Sequence, residues 1–238
     1  LLEILLSNYK LFFEATLLTL KVTITSLLIG CLIGLIFAFF RLSNNKFLNF
    51  IAHVYITLIR GTPLIVQIAV LYFGITSIVT LSQFWAGAIG LAIHCGAYIA
   101  EIFRGAIQSI DRGQMEAARS LGMSYPLAMR RIILPQAFKS AIPSLSNQFI
   151  IGLKDSSLVA YVGMGDLWGA GLSVAASSFQ QLNSYVIVGL YYFVLVFIFS
   201  FLSGKLESRM NVTEPGRKQK SNSIFNPFKK PAEEINRV

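Results

Sequence analysis

The sequence predicts an all-α integral membrane protein with about five transmembrane helices and a helical cytoplasmic loop. Three observations carry that prediction. Apolar residues make up 55% of the chain and charged residues only 13%, with a positive mean hydropathy, which lies outside the usual range of soluble domains. From Gly61 to Ala100 there is no Asp, Glu, Lys or Arg, a run of about 40 residues where one helical crossing needs about 20. The formal net charge of +9 is gathered in short basic stretches between uncharged runs. That distribution suits the rim of a bilayer, and no nucleic acid is expected as a partner.

Each element follows in order within one membrane domain over residues 1–210. The first span is expected over Glu14 to Phe40, broken only by Lys21 near one end, where its stem can snorkel, and closed by Arg41. It lacks a small-residue cleavage pattern and is expected to remain as an anchor. After a polar loop at Ser43 to Lys46, the apolar pattern resumes at Phe50 and opens the second span. Pro63 within it has no N–H, so the Ile59 carbonyl loses its helical partner. A kink or a polar opening is expected there, with Arg60, Thr62 and Gln67 near enough to use it. The long uncharged run must turn back once. Thr76 to Gln83 is its most polar stretch, with Trp85 as an interfacial anchor beside it.

Charges return from Glu101 to Lys139, which reads as a water-facing loop, helical in part. A fourth apolar segment follows Pro143 and reaches the glycines at 163, 165, 169 and 171. The fifth span, Tyr185 to Leu202, ends at Lys205 and Arg209. The basic tail, 211–238, has too little apolar content for a core and is expected to be disordered. Lys and Arg concentrate in the loop after span one, in the loop after Glu101 and in the tail. The N-terminus is therefore expected outside and the C-terminus in the cytoplasm.

Cys31 and Cys95 lie inside apolar runs and resemble no disulfide framework. His94 has no second ligand at metal spacing, so it is expected to bond a neighbouring helix, and no metal is expected. Gly30 and Gly34 form a small-xxx-small pair that permits close helix packing, with dimerisation as one use.

The most informative segment is Glu116-Ala117-Ala118-Arg119-Ser120-Leu121-Gly122, followed by Ile133-Leu134-Pro135-Gln136-Ala137. Glu116 to Leu121 favours a helix, Gly122 stops it, and Ser124-Tyr125-Pro126 opens a second short one with Ser124 as its cap. With Leu121, Met123, Leu127 and Met129 as apolar contacts and Arg119, Arg130 and Arg131 as charges, the resulting knob could dock into a groove on a cytoplasmic partner. The bland alternative is a solvated amphipathic helix.

With these residues in place, the sequence resembles bacterial ABC-importer permeases, whose cytoplasmic EAA loop corresponds to Glu116, Ala117, Ala118, Arg119 and Gly122, with Tyr125 just beyond. Arg60-Gly61-Thr62-Pro63-Leu64, Gly96 to Glu101, Arg104 to Ile107, Gly113-Gln114 and Lys154 to Leu158 narrow the resemblance to the polar amino-acid permeases. Ala106 stands where a second glycine is common. The resemblance spans about Ala15 to Arg209. It implies a type I ABC-importer permease fold with a coupling loop at about 105–140, in the bacterial cytoplasmic (inner) membrane. It also implies a cytoplasmic ABC ATPase dimer that carries ATP and Mg, an extracytoplasmic amino-acid-binding protein, and a second permease copy or a related permease. By this resemblance the chain is a transporter subunit working by alternating access, not an enzyme. No Walker-type phosphate loop is present, so no cofactor is expected on this chain.

Ionisable residues inside apolar segments usually face a cavity or a partner. Lys154 and Asp155, with Ser156 and Ser157, form a dense cluster that either meets substrate or is a wet or paired structural element. Glu101, with Tyr98 three residues earlier on one helix face, either lines a substrate path or pairs with Arg104 or Arg60. Arg60 and Gln67 complete the candidate path. Glu101 tilts the choice towards cationic or zwitterionic amino acids, while arginine, glutamine, glutamate, histidine and cystine all stay open.

Overall fold

The computed structural model describes residues 1–75 and 78–210, and the expected disorder of the tail lies outside the described residues. All regular structure among the described residues is helical. Helix α1 runs over Leu2–Leu42, so it starts a dozen residues before the expected span. At 1.5 Å per residue its length is about 61 Å, roughly twice a hydrocarbon core. Its hydroxyls stay compatible with an apolar setting because Thr16, Thr19 and Thr23 donate to backbone carbonyls one turn back.

Asn45 accepts from Phe47 N and caps α2, Lys46–Arg60. At Gly61-Thr62-Pro63 the chain bends by 104° into α3, Leu64–Ala69, which continues as a π-turn through Gly74. The kink expected from Pro63 is therefore a full change of direction. The turn expected over Thr76 to Gln83 precedes α4, Gln83–Gln108, although Thr76 and Ser77 lie outside the described residues. Helix α5, Arg112–Ser120, is capped by Asp111 and followed by Gly122 at φ +81°.

Beyond Gly122 the second short helix is not a separate piece. Helix α6, Tyr125–Ala128, passes through a π-turn at Met129–Ile133 into α7, Leu134–Asp155, and on through a 3-10 turn to Val162. Ser124 occupies the cap position of α6, yet its hydroxyl makes no capping bond. The fourth span thus begins well before Pro143, which sits inside α7. After a 51° bend comes α8, Leu167–Ser178, and then α9, Gln181–Arg209. Helices α1, α4 and α9 are each long and apolar enough to cross a membrane, and the two bent pairs bring the number to five.

Helix α4 is the centre of the bundle and packs most extensively on α1. The approach is close because Gly30 and Gly34 of α1 lie against Cys95, Gly96 and Ile99 of α4. The small-xxx-small pair therefore joins two helices of one chain, and its use between copies is not what the fold shows. The apolar outer faces belong to lipid or to other membrane subunits: Phe193, Phe197 and Phe201 of α9 and Leu28 and Leu32 of α1 are all exposed.

Candidate functional site

The break between α2 and α3 opens a polar region against α4 and α7. Gln67 repairs the break from its far side. Its Nε2 donates to the Ile59 carbonyl at 2.9 Å, to the Thr62 carbonyl at 3.1 Å and to Thr62 Oγ1 at 2.8 Å, while its Oε1 lies 3.1 Å from His94 Nδ1. His94 thus bonds a neighbouring helix, and Gln67 is committed to the backbone.

Beside the break lies a cavity of about 580 Å³ lined by Arg60, Tyr98, Glu101, Ser144, Asn147 and Gln148, within the range of small-molecule sites. Adjoining it, a cavity of about 430 Å³ is lined by Arg41, His53, Thr57 and again Arg60, Tyr98 and Glu101. Arg60, Tyr98 and Glu101 of the expected path are therefore brought together. Arg60 lies over the Tyr98 ring, 5.2 Å from its centroid.

Glu101 is paired, as one of its two readings held. Arg104 Nε donates to both carboxylate oxygens at 3.1 Å and Nη2 to Oε2 at 2.7 Å. Arg104 Nη1 extends the chain to Gln108. Arg41 Nε stands 3.9 Å from Glu101 Oε1, too far for a hydrogen bond, while Arg41 Nη1 donates to Asn49 Oδ1 at 2.8 Å. Gln148 had no sequence signal beyond an ordinary polar residue in a helix. It is 6% exposed, and its amide makes no hydrogen bond to the described residues. The amide is not buried without a partner and so opens onto the cavity, where water can meet it.

The cluster from Lys154 to Ser157 does not converge. Asp155 lines a narrow, mostly apolar crevice with His94, Cys95 and Gln148. Lys154 and Ser157 line a different cavity of about 380 Å³ with Trp168, Tyr185 and Tyr192. Ser156 is fully buried and donates to the Leu153 carbonyl. A helix end turns successive side chains about 100° apart, so neighbours in sequence separate in space. Asp166, which the sequence did not single out, is fully buried. It accepts from Trp168 N and Gly169 N to cap α8, and Leu167 N is held by Thr19 Oγ1 of α1 at 2.9 Å.

At the far end of α4, the knob presents Leu121 and Tyr125 at 83% and 55% exposure, next to a buried Ala118. Arg119 Nη1 donates to the Met123 carbonyl at 2.9 Å and braces the turn around Gly122. Glu116 and Ala117 are on the α5 surface.

Residues 30–212 match the family described as binding-protein-dependent transport system inner membrane component. The chain belongs to this family. Among relatives of this inner membrane component, the arginine transport system permease protein ArtQ of Bacillus subtilis is 35% identical over 199 residues, covering 83% of this chain and 91% of that protein. The glutamine transport system permease protein GlnP of Escherichia coli K12 is 36% identical over 205 residues, covering 85% and 94%. A solved amino-acid ABC transporter with histidines superposes at a TM-score of 0.82 with 40% identity, over 86% of this chain and 96% of that one. An inward-facing MetNI methionine ABC transporter shares the fold at a TM-score of 0.75 and 20% identity, over 87% and 99%. The resemblance carried by the EAA segment thus holds. This transport component is a multi-pass permease of the ABC-importer type and not itself an enzyme.

Proposed function

We propose that this permease carries an amino acid across the inner membrane by alternating access through the cavity between α2, α4 and α7. The observation that carries the reading is the convergence of Arg60, Tyr98, Glu101 and Gln148 on one cavity of about 580 Å³ beside a broken span. Broken helices place polar backbone and side chains at depth, which is where transported solutes are held. Relatives named for arginine and glutamine supply the substrate class.

In this reading, Leu121 and Tyr125 seat in a cytoplasmic ATPase dimer, with Glu116, Ala117, Ala118, Arg119 and Gly122 shaping the knob between them. ATP and Mg reside on that dimer. An extracytoplasmic binding protein supplies the amino acid at the N-terminal side of α1, a second permease copy or a relative completes the pore, and the C-terminal end of α9 faces the cytoplasm. Because α5 follows α4 by only a short turn, displacement of the knob moves the helix that carries Tyr98 and Glu101.

The test is uptake of labelled amino acids into liposomes that contain the permease, its ATPase and its binding protein. ATP-dependent accumulation that falls several-fold on Leu121→Asp with assembly intact is the expected result. ATP hydrolysis without accumulation of any amino acid, or uptake indifferent to Leu121→Asp, would overturn the reading.

A further inference from the structure

We infer that the N-terminal half of α1, residues 2–21, is a membrane-surface helix that binds zwitterionic phospholipids of the leaflet at which α1 begins, with one stripe in their acyl chains and a neighbouring stripe among their headgroups. This goes beyond the transport reading and stands on different residues; only the name of that leaflet, extracytoplasmic, is taken from it.

Glu3, Lys10, Glu14 and Lys21 are all exposed, and none has an ion pair among the described residues. Their steps of seven, four and seven residues return to one azimuth of a helix. The same steps lead on to Leu28, Leu32 and Phe39, which are exposed and apolar. The stripe therefore changes from alternating charge to hydrocarbon after Lys21, and no Asp, Glu, Lys or Arg follows until Arg41. Val22 to Phe40 measures about 28 Å, one hydrocarbon core. The core thus begins near Lys21, and residues 2–21 are surplus to the crossing. Beside their charged stripe runs an apolar one, Leu2, Leu6, Tyr9, Phe13 and Leu17, 42% to 67% exposed. The third face, with Ile4, Phe12, Ala15 and Thr19, is buried against the bundle.

This half does not stand upright in water. Phe12 stacks on Tyr191 of α9. Ser26, 14 residues on, shares a crevice with Phe149, whose ring meets Phe199, eight residues on from Tyr191. Between the same two levels α1 advances about 21 Å and α9 about 12 Å, and α9 carries one crossing's length without charge, Gln181 to Gly204. Helix α1 is accordingly inclined, and residues 2–21 rise only about 17 Å over an axial length of about 30 Å. They pass obliquely through the headgroup layer, which Lys21, the deepest of the four charges, reaches along its aliphatic stem. Hydrocarbon alone does not cover such a surface, because ionised side chains oppose insertion. Water alone does not either, because large apolar side chains share the face. A phospholipid offers both surroundings side by side. Its headgroup, phosphate beside ammonium, complements alternating Lys and Glu whose charges cancel: Lys10 and Lys21 meet phosphate, and Glu3 and Glu14 meet ammonium.

The experiment places single spin labels on the assembled permease–ATPase complex in nanodiscs of phosphatidylethanolamine and phosphatidylglycerol, with Cys31→Ala and Cys95→Ala as background. Labels go on Leu6→Cys and Phe13→Cys in the apolar stripe and on Lys10→Cys and Glu14→Cys in the charged one. Leu28→Cys serves as the reference for lipid and Ser208→Cys, past the charged end of α9, as the reference for water. ATP hydrolysis by each labelled complex reports its assembly, and two positions per stripe guard against one that fails to assemble. Collisions with oxygen, which concentrates among acyl chains, are compared with collisions with a water-soluble nickel chelate. The oxygen-to-nickel ratio at Leu6→Cys and Phe13→Cys is expected to exceed that at Ser208→Cys several-fold, with Lys10→Cys and Glu14→Cys in between. The Lys10→Cys and Glu14→Cys labels are also expected to speed the relaxation of lipid phosphorus nuclei more than the Leu28→Cys label does. Nickel access at Leu6→Cys and Phe13→Cys equal to that at Ser208→Cys would put the helix in water, and access of neither reagent would mean that another protein subunit covers it. Phosphorus relaxed no faster by the Lys10→Cys and Glu14→Cys labels than by the Leu28→Cys label would deny headgroup contact. Each of these three results overturns the inference and leaves the transport reading untouched.

Discussion

Gln67 of α3 donates its side-chain amide to the Ile59 carbonyl of α2 at 2.9 Å, filling the bond that Pro63 cannot make. A proline inside a helix orphans the carbonyl four residues earlier, and in a membrane an orphaned carbonyl costs several kcal/mol. Here the debt is met by a side chain that also reaches His94 of α4. One glutamine thus holds the broken span open and fixes its angle to the central helix.

Gln67→Leu should lower stability by about 1–3 kcal/mol, the desolvation cost of leaving the Ile59 carbonyl and His94 unpaired. Thermal unfolding of the assembled complex in detergent reads this as a lower midpoint. An unchanged midpoint would mean that water replaces the amide at no cost.

The Glu101 and Arg104 pair is 23% and 28% exposed at the side chains, enough for partial screening. Single Glu101→Gln and Arg104→Gln variants are each expected to cost about 1–3 kcal/mol, since each leaves a charged partner short of its bonds. In the double variant the losses should not add, with a coupling energy of about 1–2 kcal/mol. Additive losses in a double-mutant cycle would show that the pair contributes nothing as a pair.

Gly122 sits at φ +81° with open space where a Cβ would project. Substitution there is opposed by backbone geometry alone. Gly122→Ala should cost about 1–2 kcal/mol in the left-handed conformation and reduce binding-protein-stimulated ATP hydrolysis, whereas Gly122→Asn, which adopts that conformation more readily, should retain most of it. Equal rates for the two variants would argue that bulk, not conformation, governs the knob.

A Cβ on Gly34 would stand 2.5 Å from Ile99 Cγ2 and 3.0 Å from the Gly96 carbonyl. Gly34→Val should therefore force α1 off α4 and cost about 1–3 kcal/mol by overpacking. Gly105, with nothing within 4 Å of the same position, provides the control: Gly105→Ala should be neutral or stabilising by up to about 1 kcal/mol. Yield of folded complex and its melting midpoint distinguish the two.

Much of the architecture was legible in the chain. Hydropathy located the spans because a bilayer demands long apolar runs, and Pro63 announced its own break because the missing N–H is a local property. Helix ends were less legible. Helix α1 reaches back to Leu2 past Glu14, Lys10 and Glu3, since charged residues tolerate a helix that composition alone would stop. The second half of the cytoplasmic loop joined the fourth span because the π-turn at Met129–Ile133 carries the helix past Pro135, whose missing N–H would break a regular α-helical ladder. The coupling knob was visible as a motif, yet which of its apolar residues stand furthest out, Leu121 and Tyr125, was settled by exposure.

The sequence by itself determined the class of the molecule, its membrane setting, the proline break and the EAA segment, because each rests on composition or on bonds between near neighbours in the chain. Only the tertiary structure decided which polar residues meet. It separated Lys154 from Asp155, although they are adjacent, and brought Arg60 to Tyr98 and Gln148 to the same cavity across three helices. It also showed Glu101 to be neutralised by Arg104. A side chain's charge is written in the sequence, but whether that charge is available to a substrate depends on partners that the packing of distant helices supplies.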